Sequence, residues 1–169
     1  MAAKGIQILN SVQIQQKVDR MAYQILEDCF EEKTIVIAGI ANRGYVLAKR
    51  LKAVLEKISK IKIELIEITL NKDSDHLEAE VDTPILKCKN KTIILVDDVL
   101  HSGKTLVYGL AVFLNIPTKK IRIAVLIDRS HKMYPVHIDF AGYTISTISQ
   151  EHISVVFSTK KSEDAVYLS

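Results

Sequence analysis

Runs of β-branched residues alternate with helix-like stretches along most of this chain, and that alternation constrains the fold more than any other feature. The runs TIVIAGI (34–40), TIILVDD (92–98) and RIAVLID (122–128) are apolar over almost their whole length. Strands with this pattern are buried on both faces, as in parallel sheets. We therefore predict an α/β fold with a mainly parallel, twisted sheet flanked by helices.

The remaining elements follow from the spacing of apolar residues. Helical spacing covers residues 11–30, with Ser11 as the predicted N-cap, and recurs at about 44–58 and 103–115. Residues 61–70 alternate and predict a further strand, and shorter apolar runs occupy 136–143 and 153–157. Residues 71–90 are polar and predict a long loop or hairpin excursion, a kind of segment that often covers a site.

Length and composition predict one cytoplasmic domain spanning residues 1–169. The chain is 48% hydrophobic, has no apolar run of the ~18 residues that a membrane helix needs, and lacks a signal-peptide pattern. The spacing of Cys29 and Cys88 matches neither a metal-binding motif nor a CxxC redox motif, so we expect free thiols. A net charge of +3 permits anionic ligands without indicating nucleic acid.

Polar residues follow the predicted strands at three places, namely residues 41–44, 97–105 and 128–129. In open parallel sheets, ligands bind outside the carboxyl ends of the strands. We therefore expect these three clusters to contribute to one site.

The segment SGKT (102–105) predicts a phosphate-binding loop. Gly103 would let the backbone approach an oxyanion, and the first N–H groups of the following helix would point at it. A Walker A loop requires a glycine five residues before Gly103, where this chain has Asp98. An ATPase of that type is therefore excluded.

Asp97 and Asp98 precede this loop directly and would repel a phosphate unless they faced something else. Carboxylates accept hydrogen bonds from vicinal ribose hydroxyls, and they also bind Mg²⁺ together with ligand oxygens. A phosphorylated sugar would satisfy both the loop and the acids.

The sequence ILVDDVLHSGKTL (94–106) resembles the 5-phosphoribosyl-1-pyrophosphate (PRPP) motif of type I phosphoribosyltransferases. The stretches 39–51 and 124–157 resemble one branch of them, the pyrimidine operon attenuator/uracil phosphoribosyltransferase family. The similarity runs from about residue 11 to the C-terminus. It implies the type I phosphoribosyltransferase fold, with a variable hood or flexible loop.

The resemblance also implies a reaction and a set of site residues. The chain would be an Mg²⁺-dependent enzyme that transfers 5-phosphoribosyl from PRPP to a nucleobase, most readily uracil, and releases pyrophosphate.

The implied catalytic residues are Asp97, Asp98 and Arg43, and the two aspartates would hold Mg²⁺ mostly through the substrate. PRPP would be bound by Asn42, Arg43, Gly44, Asp97, Asp98, His101, Ser102, Gly103, Lys104 and Thr105. The base would lie against Asp128, Arg129, His152 and Ile153. A homodimer or higher homo-oligomer is expected.

Two alternatives stay open. The same family implies a nucleotide-sensing protein that regulates pyrimidine genes by binding RNA. Tyr23 and His152 replace residues that would favour RNA phosphates in that family, so this function ranks second. The other alternative is a nucleotide-binding protein or phosphoribosyltransferase with a different base. The 71–90 excursion contains Lys72 but no arginine, which departs from the family pattern and leaves open whether it supports full catalysis.

Overall fold

The computed structural model describes residues 5–71 and 78–169, and it confirms the predicted α/β architecture. In chain order the elements are β1 (Ile6–Asn10), α1 (Ser11–Asp28), β2 (Thr34–Ile40), α2 (Arg43–Ile58), β3 (Lys62–Asn71), β4 (Glu78–Val81), β5 (Thr92–Leu100), α3 (Lys104–Ala111), β6 (Lys120–Asp128), β7 (Phe140–Thr144), β8 (Ile153–Val156) and β9 (Ala165–Leu168). Two short 3₁₀ helices, Ile85–Cys88 and Lys161–Glu163, complete the set.

The main sheet has six strands in the order β4-β3-β2-β5-β6-β7. All neighbouring pairs are parallel except β3 and β4, which pair antiparallel. From β2 the chain passes through α2 to β3 on one side, whereas from β5 it passes through α3 to β6 on the other. The connections therefore diverge between β2 and β5, which opens a crevice at the carboxyl ends of these strands.

The core lies on both faces of this sheet. In β2, Ile35 and Ile37 pack with α1 and α2 on one face, while Val36 and Ala38 pack on the opposite face with α3. All four side chains are fully buried. Burial on both sides explains why the central strands read as continuous apolar runs.

A smaller antiparallel sheet, β1-β9-β8, packs beside the main one. Its outer strand β1 leads directly into α1, whose N-cap is Asn10. The Asn10 side chain accepts from the Gln13 N–H, and Gln13 Oε1 accepts from the Asn10 N–H, both at 2.9 Å. The prediction of Ser11 as N-cap was wrong, because this reciprocal capping box starts the helix at Ser11.

The third helix is shorter than the predicted 103–115. It ends at Ala111, because the Phe113 and Leu114 amides donate to carbonyls only three residues back and tighten the chain into turns. The predicted excursion is a hairpin formed by β3 and β4. Residues 72–77, with Lys72, lie outside the described residues. Over the two described ranges, we find no helix that combines the length and the apolar character needed to span a bilayer.

Candidate active site

A cavity of about 450 Å³ lies at the crevice between β2 and β5. Its walls are the segment after β2, the end of β3 and the end of β5 with the loop that follows. They comprise Ile40, Ala41, Asn42, Arg43, Thr69, Leu70, Asp97, Asp98, Val99, Leu100, His101, Ser102, Gly103, Thr105 and Leu106. Eight of the ten residues predicted to bind PRPP therefore share one cavity; Gly44 and Lys104 are not in its walls.

The phosphate loop, which we define as residues 101–105, is anchored from behind. The Ser102 carbonyl accepts hydrogen bonds from the amides of Met133 and Tyr134, at 2.9 and 3.0 Å. Gly103 has a positive φ of 88°, and a Cβ at this position would lie 2.8 Å from a methyl group of Val136. Glycine is needed here on both counts, and it lets α3 begin at the cavity wall.

The two acids occupy consecutive positions near the end of β5, and both line the cavity. Asp97 is buried, and its Oδ1 accepts the amide N–H of Asp98 at 2.8 Å. A Cβ on Gly44 would lie 2.7 Å from the Val96 carbonyl and 2.8 Å from the Asp97 Cα. Only a glycine allows α2 to begin so close to β5, and this approach brings Arg43 to the acids.

Arg43 faces Asp98 across the cavity. Its Nη1 lies 3.7 Å from Asp98 Oδ2, and the arginine side chain is 58% exposed whereas that of Asp98 is 16% exposed. An ion pair this long and this open to water is weak. The Arg43 guanidinium can therefore exchange the carboxylate for an anionic ligand. Asn42 precedes it at the cavity wall, after a cis peptide bond from Ala41.

Arg129, at the end of β6, connects the phosphate loop to the segment 147–152. Its Nε donates to Thr147 Oγ1 and its Nη2 to the Glu151 carbonyl, both at 2.9 Å. Its Nη1 lies 3.1 Å from Nδ1 of His101. The His101 ring stacks on that of His152, with ring centroids 5.2 Å apart and planes within 9°.

This environment favours the neutral form of His101. Removal of the ring from water by the surrounding protein atoms lowers the pKa of His101 below its ordinary value of 6.5, and the positive charge of Arg129 and the neighbouring His152 lower it further. The negative charge of Asp98 raises the pKa of His101, but by less than the other groups lower it.

The residues predicted to contact the base lie beside the cavity rather than in its walls. Asp128 Oδ1 accepts the Ser130 N–H at 2.9 Å and closes a turn. The Ile153 side chain is buried in the core and is therefore not available to a ligand. His101 is the residue that joins this group to the cavity.

The acids fit Mg²⁺ carried by a substrate. Within residues 5–71 and 78–169, no group of three or more His, Cys, Asp or Glu side chains is arranged to hold a metal ion. Two adjacent carboxylates at the cavity are nevertheless what Mg²⁺ uses when substrate phosphates and waters supply its other ligands.

Sequence reasoning missed several residues around the site. Thr69 and Leu70 line the cavity at the end of β3, and the strand-end rule could have found them. Three other residues could not be found from local sequence, because their partners lie more than 15 residues away in the chain. Thr147 and Glu151 bind Arg129, and Val136 packs on Gly103.

Comparison with known proteins agrees with this geometry. The family described as "Phosphoribosyl transferase domain" matches residues 6–161. The Bifunctional protein PyrR of Clostridium acetobutylicum is 36% identical over 169 residues, and that of Clostridium novyi 34% over 167 residues. Each match covers 94% of this chain and 94% of the relative.

Solved structures show the same fold at lower identity. Hypoxanthine phosphoribosyltransferase of Trypanosoma cruzi has a TM-score of 0.78 and 14% identity, and covers 100% of this chain and 94% of its own. A hypoxanthine-guanine phosphoribosyltransferase of Bacillus anthracis has a TM-score of 0.72 and 23% identity, over 86% and 84% of the two chains. With the nearly full-length relatives above 30% identity, these matches confirm that the chain belongs to the phosphoribosyltransferase family, in the branch of the PyrR proteins.

Proposed function

We propose that this phosphoribosyltransferase transfers the 5-phosphoribosyl group of PRPP to a nucleobase, with uracil preferred, and releases pyrophosphate. The observation that carries the proposal is the single cavity in which a phosphate loop, two carboxylates and an exposed arginine face one another. These groups match the phosphate, the hydroxyls and the pyrophosphate of one substrate.

Each part of PRPP has a partner in this arrangement. The 5′-phosphate would accept hydrogen bonds from the N–H groups at the start of α3 and from the hydroxyls of Ser102 and Thr105. The ribose hydroxyls would donate to Asp97 and Asp98. The pyrophosphate would meet Arg43 at the N-terminus of α2, where the helix dipole also favours an anion.

The reaction breaks the bond between C1 of the ribose and the pyrophosphate oxygen, and it forms a bond from C1 to a ring nitrogen of the base. That nitrogen loses its proton as the pyrophosphate leaves. The protein supplies position and charge: the loops hold the two substrates in line, and Arg43 offsets the negative charge that grows on the leaving group. Mg²⁺, held by Asp97 and Asp98 mostly through PRPP, would neutralise further charge on the leaving pyrophosphate.

Uracil is proposed as the base because the branch that the chain resembles is the uracil phosphoribosyltransferase family. By the family resemblance, the base would lie against the backbone of residues 151–153, and the buried Ile153 side chain would take no part in reading it. The proposal is tested by the release of pyrophosphate from PRPP and Mg²⁺ with uracil, cytosine, hypoxanthine or guanine. Uracil should give the highest kcat/KM; a purine preference, or no turnover with any base, would contradict it.

A second candidate, regulation through RNA, is favoured by the word "bifunctional" in the names of the relatives. Arg20 is a poor probe of it, because its Nη2 donates to the carbonyls of Ala141 and Gly142 and holds α1 on β7. The better test is binding of a pyrimidine leader hairpin by the unaltered protein over a salt series. Phosphate contacts predict an affinity that falls steeply with salt, whereas absent binding at low salt would exclude this function.

A further inference from the structure

We propose that Arg129 fixes His101 as the tautomer protonated at Nε2, and that His101 thereby offers a hydrogen-bond donor to a carbonyl oxygen of the bound base. The second half rests on the proposed function, because it requires a base at this end of the cavity. Arg129 is a positioning residue in this scheme, and His101 is the group that touches the ligand.

The tautomer follows from hydrogen-bond chemistry. Arginine carries donors and no acceptor, so the 3.1 Å contact between Arg129 Nη1 and His101 Nδ1 requires a lone pair on Nδ1. A neutral imidazole with a lone pair on Nδ1 carries its proton on Nε2.

Arg129 cannot easily turn away from this contact. Its Nε is held by Thr147 Oγ1 and its Nη2 by the Glu151 carbonyl, with the Ile148 carbonyl at 3.5 Å. Most of its donors are therefore used within the protein. Arg129 acts on a substrate through His101 and the 147–151 segment rather than by direct contact.

The opposite edge of the His101 ring is left for a ligand. His101 forms part of the cavity wall, and over the described ranges its Nε2 has no hydrogen-bond partner in the protein. Stacking on His152 limits rotation of the ring. The Nε2–H group is thus held in place by contacts on one edge and one face.

The surrounding charges favour the neutral form of His101. The charged or titratable groups that face His101 are Arg129 after β6, His152 before β8, Asp98 on β5 and Arg43 on α2. The two arginines disfavour an imidazolium, so His101 acts as a neutral donor. It also lies on the side of the phosphate loop that contacts residues 147–152, next to the backbone proposed to read the base. A base carbonyl that lies against residues 151–153 is therefore within reach of this donor.

The tautomer is tested by ¹⁵N-detected NMR of the histidine rings at neutral pH, without any ligand. His101→Phe identifies the His101 signals by their loss. We expect a pyridine-like Nδ1 and a protonated Nε2 in the unaltered protein, and a mixture of tautomers in Arg129→Met, which keeps a long side chain without donors. A protonated Nδ1 in the unaltered protein would overturn the proposal.

The contact with the base is tested by calorimetry with uridine monophosphate and with ribose 5-phosphate, which lacks the base. His101→Phe keeps the ring and the stack, and His101→Gln keeps an N–H donor near the Nε2 position. We expect uridine monophosphate to bind about tenfold more weakly to the Phe variant and to within about threefold of normal to the Gln variant. Ribose 5-phosphate should lose less affinity than uridine monophosphate in His101→Phe, because residues 102–105 still hold its phosphate, and His137→Gln, on an exposed histidine, should change neither affinity.

An equal loss of both ligands in His101→Phe, or no loss of either, would overturn the contact with the base. If the unaltered protein bound neither ligand, the contact and the proposed function would both fail, while the NMR result would still decide the tautomer. Turnover with uracil together with unchanged uridine monophosphate binding in the Phe variant would contradict only the inference.

Discussion

At the scale of single residues, the site contains opposite charges that contact one another and that an anionic ligand can separate. Arg43 faces Asp98 at 3.7 Å, and both line the cavity. Asp97 holds its carboxylate against the Asp98 amide instead. This arrangement keeps two acids and an arginine close together without burying an unpaired charge, and it leaves them able to exchange partners.

Removing either acid charge should weaken the use of PRPP. Asp97→Asn and Asp98→Asn each convert a charged acceptor of ribose hydroxyls into a neutral amide, which should cost about 1.5–3 kcal/mol, or about 10- to 150-fold in kcat/KM for PRPP. Steady-state kinetics at limiting PRPP measures this. Glu27→Gln, an exposed acid on α1, is the matched control and should leave the rate unchanged. Wild-type rates in both site variants would contradict the assignment of the hydroxyls.

Gly103→Val should abolish binding of nucleoside monophosphates. The positive φ resists a β-branched residue, and the new Cβ would collide with Val136 behind the loop, so the loop and its amides must move. The obstruction thus comes from behind the loop, and not from the phosphate side as the sequence suggested. Calorimetry measures the affinity. Gly103→Ala should lose less affinity than Gly103→Val, and an unchanged affinity in the Val variant would contradict the phosphate loop.

The lowered pKa of His101 predicts a dependence of stability on acid. The unfolded chain binds a proton at the ordinary pKa of 6.5, whereas the folded protein binds it only at lower pH, so His101 lowers the free energy of unfolding as pH falls through and below 6.5. Urea titrations at about pH 7.5 and about pH 5.5 should show wild type losing stability relative to His101→Phe. A difference between the two proteins that stays constant with pH would contradict the shift.

At the scale of elements, the sequence predicted what depends on local pattern. Local sequence pattern was enough to predict the strands β2, β5 and β6 and the helices α1 and α2. Burial on one or both faces of such an element determines which of its residues are apolar, so the spacing of apolar residues reveals it. The strands β1 and β9 escaped prediction, since each is short and pairs with a segment at the other end of the chain. The clustering of Asp97 and Arg43 was predictable from strand ends, but the link from Arg129 to His101 was not.

The small sheet is attached to α2 by a buried ion pair, and this makes a prediction about stability. Arg50 binds Asp164, their side chains are 10% and 2% exposed, and the guanidinium lies 4.4 Å from the centre of the Phe157 ring. Arg50→Met would leave Asp164 buried without its partner, which should cost about 3–5 kcal/mol in urea denaturation. Lys52→Met, which removes an exposed pair with Glu56 on the same helix, should cost less than about 1 kcal/mol. Equal losses would contradict a structural role for the buried pair.

At the scale of the whole molecule, topology decides where the chemistry lies. The connections of β2 and β5 diverge, and the crevice between these strands collects the segment after β2, the end of β3 and the loop after β5. Each of these segments contributes one wall of the cavity, but no motif within a single segment specifies that they come together. The strand order therefore brings two polar clusters of the sequence, at residues 41–44 and 97–105, together with the end of β3 into a cavity of about 450 Å³.

The most direct test of phosphoribosyl transfer at this cavity is pyrophosphate release from PRPP and uracil by wild type and by Arg43→Ala. Loss of the arginine should raise the barrier by about 2–4 kcal/mol, which lowers turnover by about 30- to 1000-fold. The affinity for uridine monophosphate should barely change, because that product carries no pyrophosphate. Turnover by wild type with equal turnover by the variant, or no pyrophosphate release by wild type, would contradict phosphoribosyl transfer at this cavity.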